Sequence, residues 1–177
     1  MMKKFFSLKR ISLLFSCTVL AALGVAAILP PRTVPLQGTF GTTFTLSPSA
    51  IPGVFDNPIE GVGTVPRLGL CTIVIQQVVD FRTDPPSLNP SDWVLTFVNG
   101  DQLQVSFTGT GTPDPTDPSF FQLSGTGTVT GGTGRFHNAT GELQAPGVAH
   151  AETPPGVFPG AGHGAFSLEG YIRFGKD

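Results

Sequence analysis

The sequence predicts an all-β protein, a single eight-stranded antiparallel β-barrel standing behind an export signal. Three observations carry that expectation. Apolar and polar residues alternate with a period of two in one segment after another from Gln37 onward, as half-buried strands require. The chain holds 23 glycines and 17 prolines and almost no lysine beyond its first ten residues, a composition poor for helices and suited to short strands joined by tight turns. Glycines also recur at inward positions, where a strand curling into a barrel needs places without a Cβ.

The first ten residues, MMKKFFSLKR, carry Lys3, Lys4, Lys9 and Arg10, and no charged side chain follows from Ile11 to Leu29. That pattern is an export signal, with Val25-Ala26-Ala27 as the small residues before cleavage and Ile28 as the new N-terminus. Residues 1–27 are therefore read as the signal peptide. An uncleaved anchor is the alternative, since Ile11 to Leu29 approaches spanning length. Leu14-Phe15-Ser16-Cys17 loosely resembles a lipid-attachment box, but Phe15 fits it poorly and the apolar run Thr18 to Leu23 continues past the cysteine. Cleavage leaves Cys71 as the sole cysteine, which excludes an internal disulfide and suits a small core residue. Four basic residues leave with the signal, so the mature part becomes acidic and nucleic acid is not an expected partner. About 150 residues remain, enough for one domain; they are expected in the periplasm, the cell envelope or the medium.

Residues 28–36 form a proline-stiffened lead-in, including Leu29 to Pro35, and 37–177 the barrel. In the first strand Phe40, Phe44 and Leu46 share one parity against Thr39, Thr43 and Thr45. A proline-containing loop is expected through Pro58, then strands over Glu60 to Pro66 and Leu70 to Phe81. In the latter, Cys71, Ile73, Ile75, Val79 and Phe81 line one face and Thr72, Gln76 and Asp80 the other. After the breaker DPPSLNPSD come Trp93, Leu95 and Phe97, then Asn99-Gly100, then Leu103, Val105 and Phe107, which read as a hairpin. A two-residue turn would set Thr96 opposite Leu103 and split the apolar sets. A three-residue loop, Val98-Asn99-Gly100 with Gly100 left-handed, sets Leu95 opposite Leu103 and Trp93 opposite Val105 on one face, and is the predicted register.

Phe121, Leu123, Gly125, Gly127 and Val129 form the next inward set. A strand from about Ala139 to Ala149 and the loop TPPGVFPGAGHG follow. The last strand turns Phe166, Leu168, Gly170, Ile172 and Phe174 inward and Ser167, Glu169, Tyr171 and Arg173 outward. Roughly eight strands result, and closure would remove the open edges an exported sheet exposes.

One local pattern is distinctive. Gly131-Gly132-Thr133-Gly134-Arg135-Phe136, followed by Asn138-Ala139-Thr140-Gly141, resembles the GGTG-x-F…A-x-G signature of the allene oxide cyclase-like and dirigent-like barrels, especially their small secreted bacterial members. Gly61-Val62-Gly63-Thr64, Asn99-Gly100-Asp101-Gln102-Leu103 and Phe107-Thr108-Gly109-Thr110 support it in order. The resemblance implies an eight-stranded barrel with a central cavity. For the cyclases it implies a cavity that steers a reactive fatty-acid epoxide, and for dirigent-like proteins association as dimers or trimers. Plant dirigent-like proteins carry an arginine where this chain has Thr140, and no cavity residue of the cyclases carries over. Read from its own residues, the motif is structural: Gly131, Gly132 and Gly134 let the backbone turn around Thr133, Phe136 anchors in the core, and Gly141 completes the pattern. A phosphate loop is excluded by the missing Lys-Ser/Thr and the absence of a following helix.

Other chemistry finds little support. His150, Glu152 and His163 flank one loop but match no zinc spacing, so no metal or cofactor is expected. His137 reads as a surface residue. No serine lies in a Gly-x-Ser-x-Gly elbow, and Asp80, Asp84, Asp114 and Asp117 lie near prolines in apparent loops. Asn138-Ala139-Thr140 is formally a glycosylation sequon, without meaning in a bacterium. No catalytic residue is assigned.

Two functional readings remain. One is a non-catalytic barrel binding a small apolar ligand, or serving as a structural surface module. Its interior would be walled by Phe40, Phe44, Ile73, Ile75, Trp93, Leu95, Phe97, Val105, Phe107, Phe121, Leu123, Phe166 and Leu168. The other is an isomerase or cyclase acting on an apolar substrate there. An ionisable or amide side chain pointing inward would support the second reading; the inward sets are almost wholly apolar, which favours the first.

Overall fold

The computed structural model describes residues 32–153 and 157–175; the signal, its cleavage site and Cys17 lie outside the described residues. Nine strands follow in order: β1 Thr33–Pro48, β2 Val54–Val65, β3 Gly69–Asp80, β4 Ser87–Phe97, β5 Gln102–Pro113, β6 Phe120–Gly132, β7 Thr140–Gln144, β8 Gly147–Ala151 and β9 Gly160–Arg173. A single 3-10 turn, Gly134–Phe136, separates β6 from β7. Every pairing is antiparallel: β1 to β7 pair each with the next, β7 and β8 each pair with both β6 and β9, and β1 pairs with β9 to close the sheet.

Both β7 and β8 lie between β6 and β9. Residues 140–144 pair with the inner part of β6 and 147–151 continue along its outer part in the same register. They are two halves of one strand interrupted at Ala145-Pro146, where proline has no N–H for the ladder. The result is a closed barrel of eight strand positions, as expected from the sequence.

The hairpin β4–β5 has Leu95 opposite Leu103 and Trp93 opposite Val105. Gly100 lies at φ 85° and its N–H donates to the Phe97 carbonyl at 2.9 Å. The three-residue loop thus wins over the two-residue turn, because only it buries both apolar sets together.

Four expectations are corrected. The lead-in gives way to strand before Gln37, since β1 starts at Thr33 and Leu36 is fully buried. Of the proline-containing stretch through Pro58, Val54 to Pro58 belong to β2, with Asn57 opposite Gln77 and Pro58 opposite Gln76 of β3. The breaker 84–92 is largely strand, since β4 begins at Ser87 and absorbs Asn89-Pro90 as a bulge between Leu88 and Ser91. That extra residue turns both Leu88 and Ser91 inward although their parities differ. Finally, β9 starts at Gly160, inside what reads as a glycine-proline loop.

The interior is packed tight at one end only. Leu36, Val65, Ile73, Leu95, Leu103, Phe136, Leu168 and Ile172 are each at most 1% exposed there. Cys71 is buried in the same cluster, as its inward position predicts.

Candidate functional site

The other half of the barrel is hollow. A cavity of about 460 Å³ opens among the C-terminal parts of β1, β3 and β5, the N-terminal parts of β2, β4, β6 and β9, and β8. An eight-stranded barrel is just wide enough for its side chains to fill it or for one small ligand, so residue size at each level decides which occurs. In the packed half, strands supply leucine, isoleucine and phenylalanine. In the hollow half, the wall carries Gly111, Ala145, Ala149, Ala151, Gly160 and Gly164. Small residues on β5, β8 and β9 leave the space that large ones occupy below.

The floor is aromatic. The rings of Phe40 and Phe166 stack at 5.1 Å, Trp93 stacks on Phe107 at 4.4 Å, and Trp93 reaches Phe166 at 5.2 Å. Near the mouth, Phe55 meets Phe81 edge-on at 5.4 Å and Phe158 at 4.7 Å. Phe81, Phe158 and Val157 line the cavity while remaining 40%, 41% and 53% exposed. Phe81 is read from sequence as a core strand residue; it falls just past the end of β3, and this explains its exposure.

Of the residues expected to wall the interior, Phe44, Ile75, Trp93, Phe107, Phe121, Leu123 and Phe166 line the cavity. Phe40, Ile73, Leu95, Phe97, Val105 and Leu168 also lie inside but belong to the packed cluster. The division follows height along the barrel axis, which period-two alternation does not encode.

A polar chain crosses the cavity wall, and the expectation of an almost wholly apolar interior is corrected by it. Asn57, Gln77 and Ser91 occupy directly paired positions on β2, β3 and β4, and each is at least nine-tenths buried, at 7%, 8% and 1% exposure. The Trp93 indole N–H donates to Ser91 Oγ at 2.7 Å, and Gln77 Nε2 donates to the same oxygen at 3.3 Å. Asn57 Nδ2 then donates to Gln77 Oε1 at 2.9 Å. The chain ends at Asn57 Oδ1, a buried oxygen with no hydrogen-bond partner. Buried polar atoms are seldom left so. Gln77 was legible as an inward position of its strand, and Ser91 shares the parity of Trp93. Asn57 was hidden in a segment read as a loop.

Among the described lining residues none is Asp, Glu, His, Lys, Arg, Cys or Tyr. The titratable groups lie elsewhere. Burial pushes the Cys71 thiol up to about 11, away from the thiolate form. On the barrel exterior, His163 Nδ1 lies 2.9 Å from Glu152 Oε1, and the His150 ring is 5.2 Å from that of His163. No group of three or more metal-binding side chains occurs among the described residues. His137 is exposed.

The glycine-rich motif lies at the packed end. Gly134 sits at φ 55°, in the left-handed region, and a Cβ there would overlap the Asp101 carboxylate. Thr133 Oγ1 accepts from the Gln102 N–H at 3.0 Å, while the Thr133 N–H donates to the Gln102 carbonyl at 2.8 Å. Phe136 is fully buried, its ring 5.1 Å from Phe97 and 5.9 Å from Phe174. Arg135 lies over the Phe97 and Phe136 rings and pairs with Asp101 at 3.2 Å. Gly131, Gly132 and Gly141 flank this plug. Its role in the fold is closure of the end away from the cavity.

Known proteins offer no match. Neither a family model, nor a curated protein, nor a solved structure matches this chain.

Proposed function

We propose that this protein is an exported barrel that binds a small, largely apolar molecule in its interior. The observation that carries the reading is the half-hollow barrel itself, with a cavity of about 460 Å³ whose described lining holds no ionisable side chain. Ligand sites are concave, mostly apolar, and fall in this range of roughly 300–1,000 Å³. Burying a molecule against such walls draws on the hydrophobic effect, at roughly 25 cal/mol per Å² of apolar surface removed from water. The N-terminal pattern of basic residues, apolar run and Ala26-Ala27 supports export with cleavage before Ile28. The likeness of Gly131 to Gly141 to the allene oxide cyclase-like and dirigent-like barrels supports the same architecture and leaves function open.

General acid–base chemistry needs a titratable group within hydrogen-bond reach of its substrate. The cavity wall described offers none, and the Asn57 and Gln77 amides that face it can hold a ligand without exchanging protons at neutral pH, which favours binding over a cyclase.

The test uses the chain from Ile28 and the neutral dye Nile red. Trp93 is the single tryptophan and forms the cavity floor, so its emission reports occupancy. Saturable one-to-one binding that quenches Trp93, and is lost in Gly111→Phe, is expected. Dye binding that survives Gly111→Phe would refute the site. Recovery of a bound natural molecule in altered form would favour the cyclase instead.

A further inference from the structure

Resting on that reading, we infer that the ligand is uncharged and carries one hydrogen-bond donor, a hydroxyl or N–H, which is received by Asn57. Three observations lead there.

The first is the direction of the polar chain. An indole N–H only donates, so Ser91 Oγ accepts from Trp93. Gln77 donates to Ser91 and accepts from Asn57, and the chain terminates in an acceptor, Asn57 Oδ1. With the two amides oriented so, a partner that completes the chain brings a hydrogen to Asn57, which lines the cavity.

The second is placement. The chain is centred on β3, and the strand four positions away around the eight-position barrel is the one formed by β7 and β8. The polar wall therefore faces the small residues Ala149 and Ala151 across the hollow. One side of a bound molecule meets amides and the other meets methyl groups. That asymmetry selects an amphiphile and orients it.

The third is charge. A carboxylate or ammonium enters a low-dielectric site at high cost unless it finds a counter-charge. The described lining supplies no such group, and this excludes fatty-acid anions and amines in favour of alcohols or other neutral donors.

A matched series tests this with the chain from Ile28: 1-decanol, decyl methyl ether and decanoate at pH 8, read by Trp93 emission and native mass spectrometry. The alcohol donates and accepts, the ether only accepts, and decanoate is an anion. The expected order is alcohol, ether, decanoate, with the alcohol about tenfold tighter than the ether, in keeping with the cost of an unpaired buried polar group. In Asn57→Leu the alcohol and ether should bind equally, with far-UV circular dichroism checking that the barrel is kept. Equal affinity of alcohol and ether for the unmodified protein overturns the inference while leaving the binding reading in place. Tighter binding of the ether or of decanoate overturns it too. Failure of all three, together with failure of Nile red, overturns both.

Discussion

Two glycines that alternation places on the same inner face of adjacent strands should respond oppositely to one added methyl group. Gly125 on β6 lies against the floor of the barrel; a Cβ there would overlap the Phe107 ring and the Thr108 carbonyl oxygen. The carbonyl is backbone in the β5–β6 ladder and cannot swing away. Gly111 on β5 faces the cavity, and its Cβ would meet Leu123 at 3.4 Å and Leu88 and Phe121 at 3.9 Å, ordinary contacts. Neither glycine has a backbone conformation that a side chain would strain. Gly111→Ala should therefore gain about 0.4–1 kcal/mol, chiefly by restricting the unfolded chain. Gly125→Ala receives the same benefit but strikes backbone, so overpacking falls in the upper part of its range, about 2–3 kcal/mol, leaving it less stable by about 1–2.6 kcal/mol. Urea unfolding followed by Trp93 emission measures both, with the midpoint read at unchanged slope. If Gly125→Ala matches the parent, or Gly111→Ala loses more than about 1 kcal/mol, the division of the interior into a filled and a hollow half is wrong.

Cys71, 2% exposed and with its thiol raised to about 11 by burial, should not react with a disulfide reagent at pH 8 until urea unfolds the barrel; prompt native labelling would contradict its position. Phe136→Ala should cost about 3–5 kcal/mol in the same urea assay, and Phe136→Leu much less, because the ring is fully enclosed by the motif's plug. Asp80 is held down to about 2, first by the side-chain hydrogen bond from Arg82. A depressed carboxylate stabilises above its unfolded pKa of about 4, and that contribution is lost as pH falls through the folded value. Asp80→Asn should therefore flatten the acid side of the unfolding midpoint between about pH 4 and 2, a small effect because Arg82 is 55% exposed.

Strand identity and facing were legible where alternation is clean, and least so where proline interrupts it. The hairpin register followed from two residues: only one loop length lets Leu95 and Leu103 share a face. Asn57 escaped because Asn57-Pro58 reads as a turn, yet proline is tolerated in a strand where its missing N–H falls at a position the ladder does not use. Leu88 escaped because the Asn89-Pro90 bulge shifts parity by one, an event that leaves no periodic trace.

The sequence by itself determined an all-β chain, the inward sets of most strands, the hairpin register and the place of Cys71 in the core, because these depend on nearest neighbours along the chain and a period of two. Only the tertiary structure decided which inward residues share a level. Whether a level is filled depends on side-chain volumes summed around the whole barrel, so Ala149 on β8 has meaning only beside Gly111, Gly164 and Phe166. The polar chain is likewise a product of closure, since Asn57, Gln77 and Ser91 lie on three strands and meet through lateral pairing that no single segment encodes.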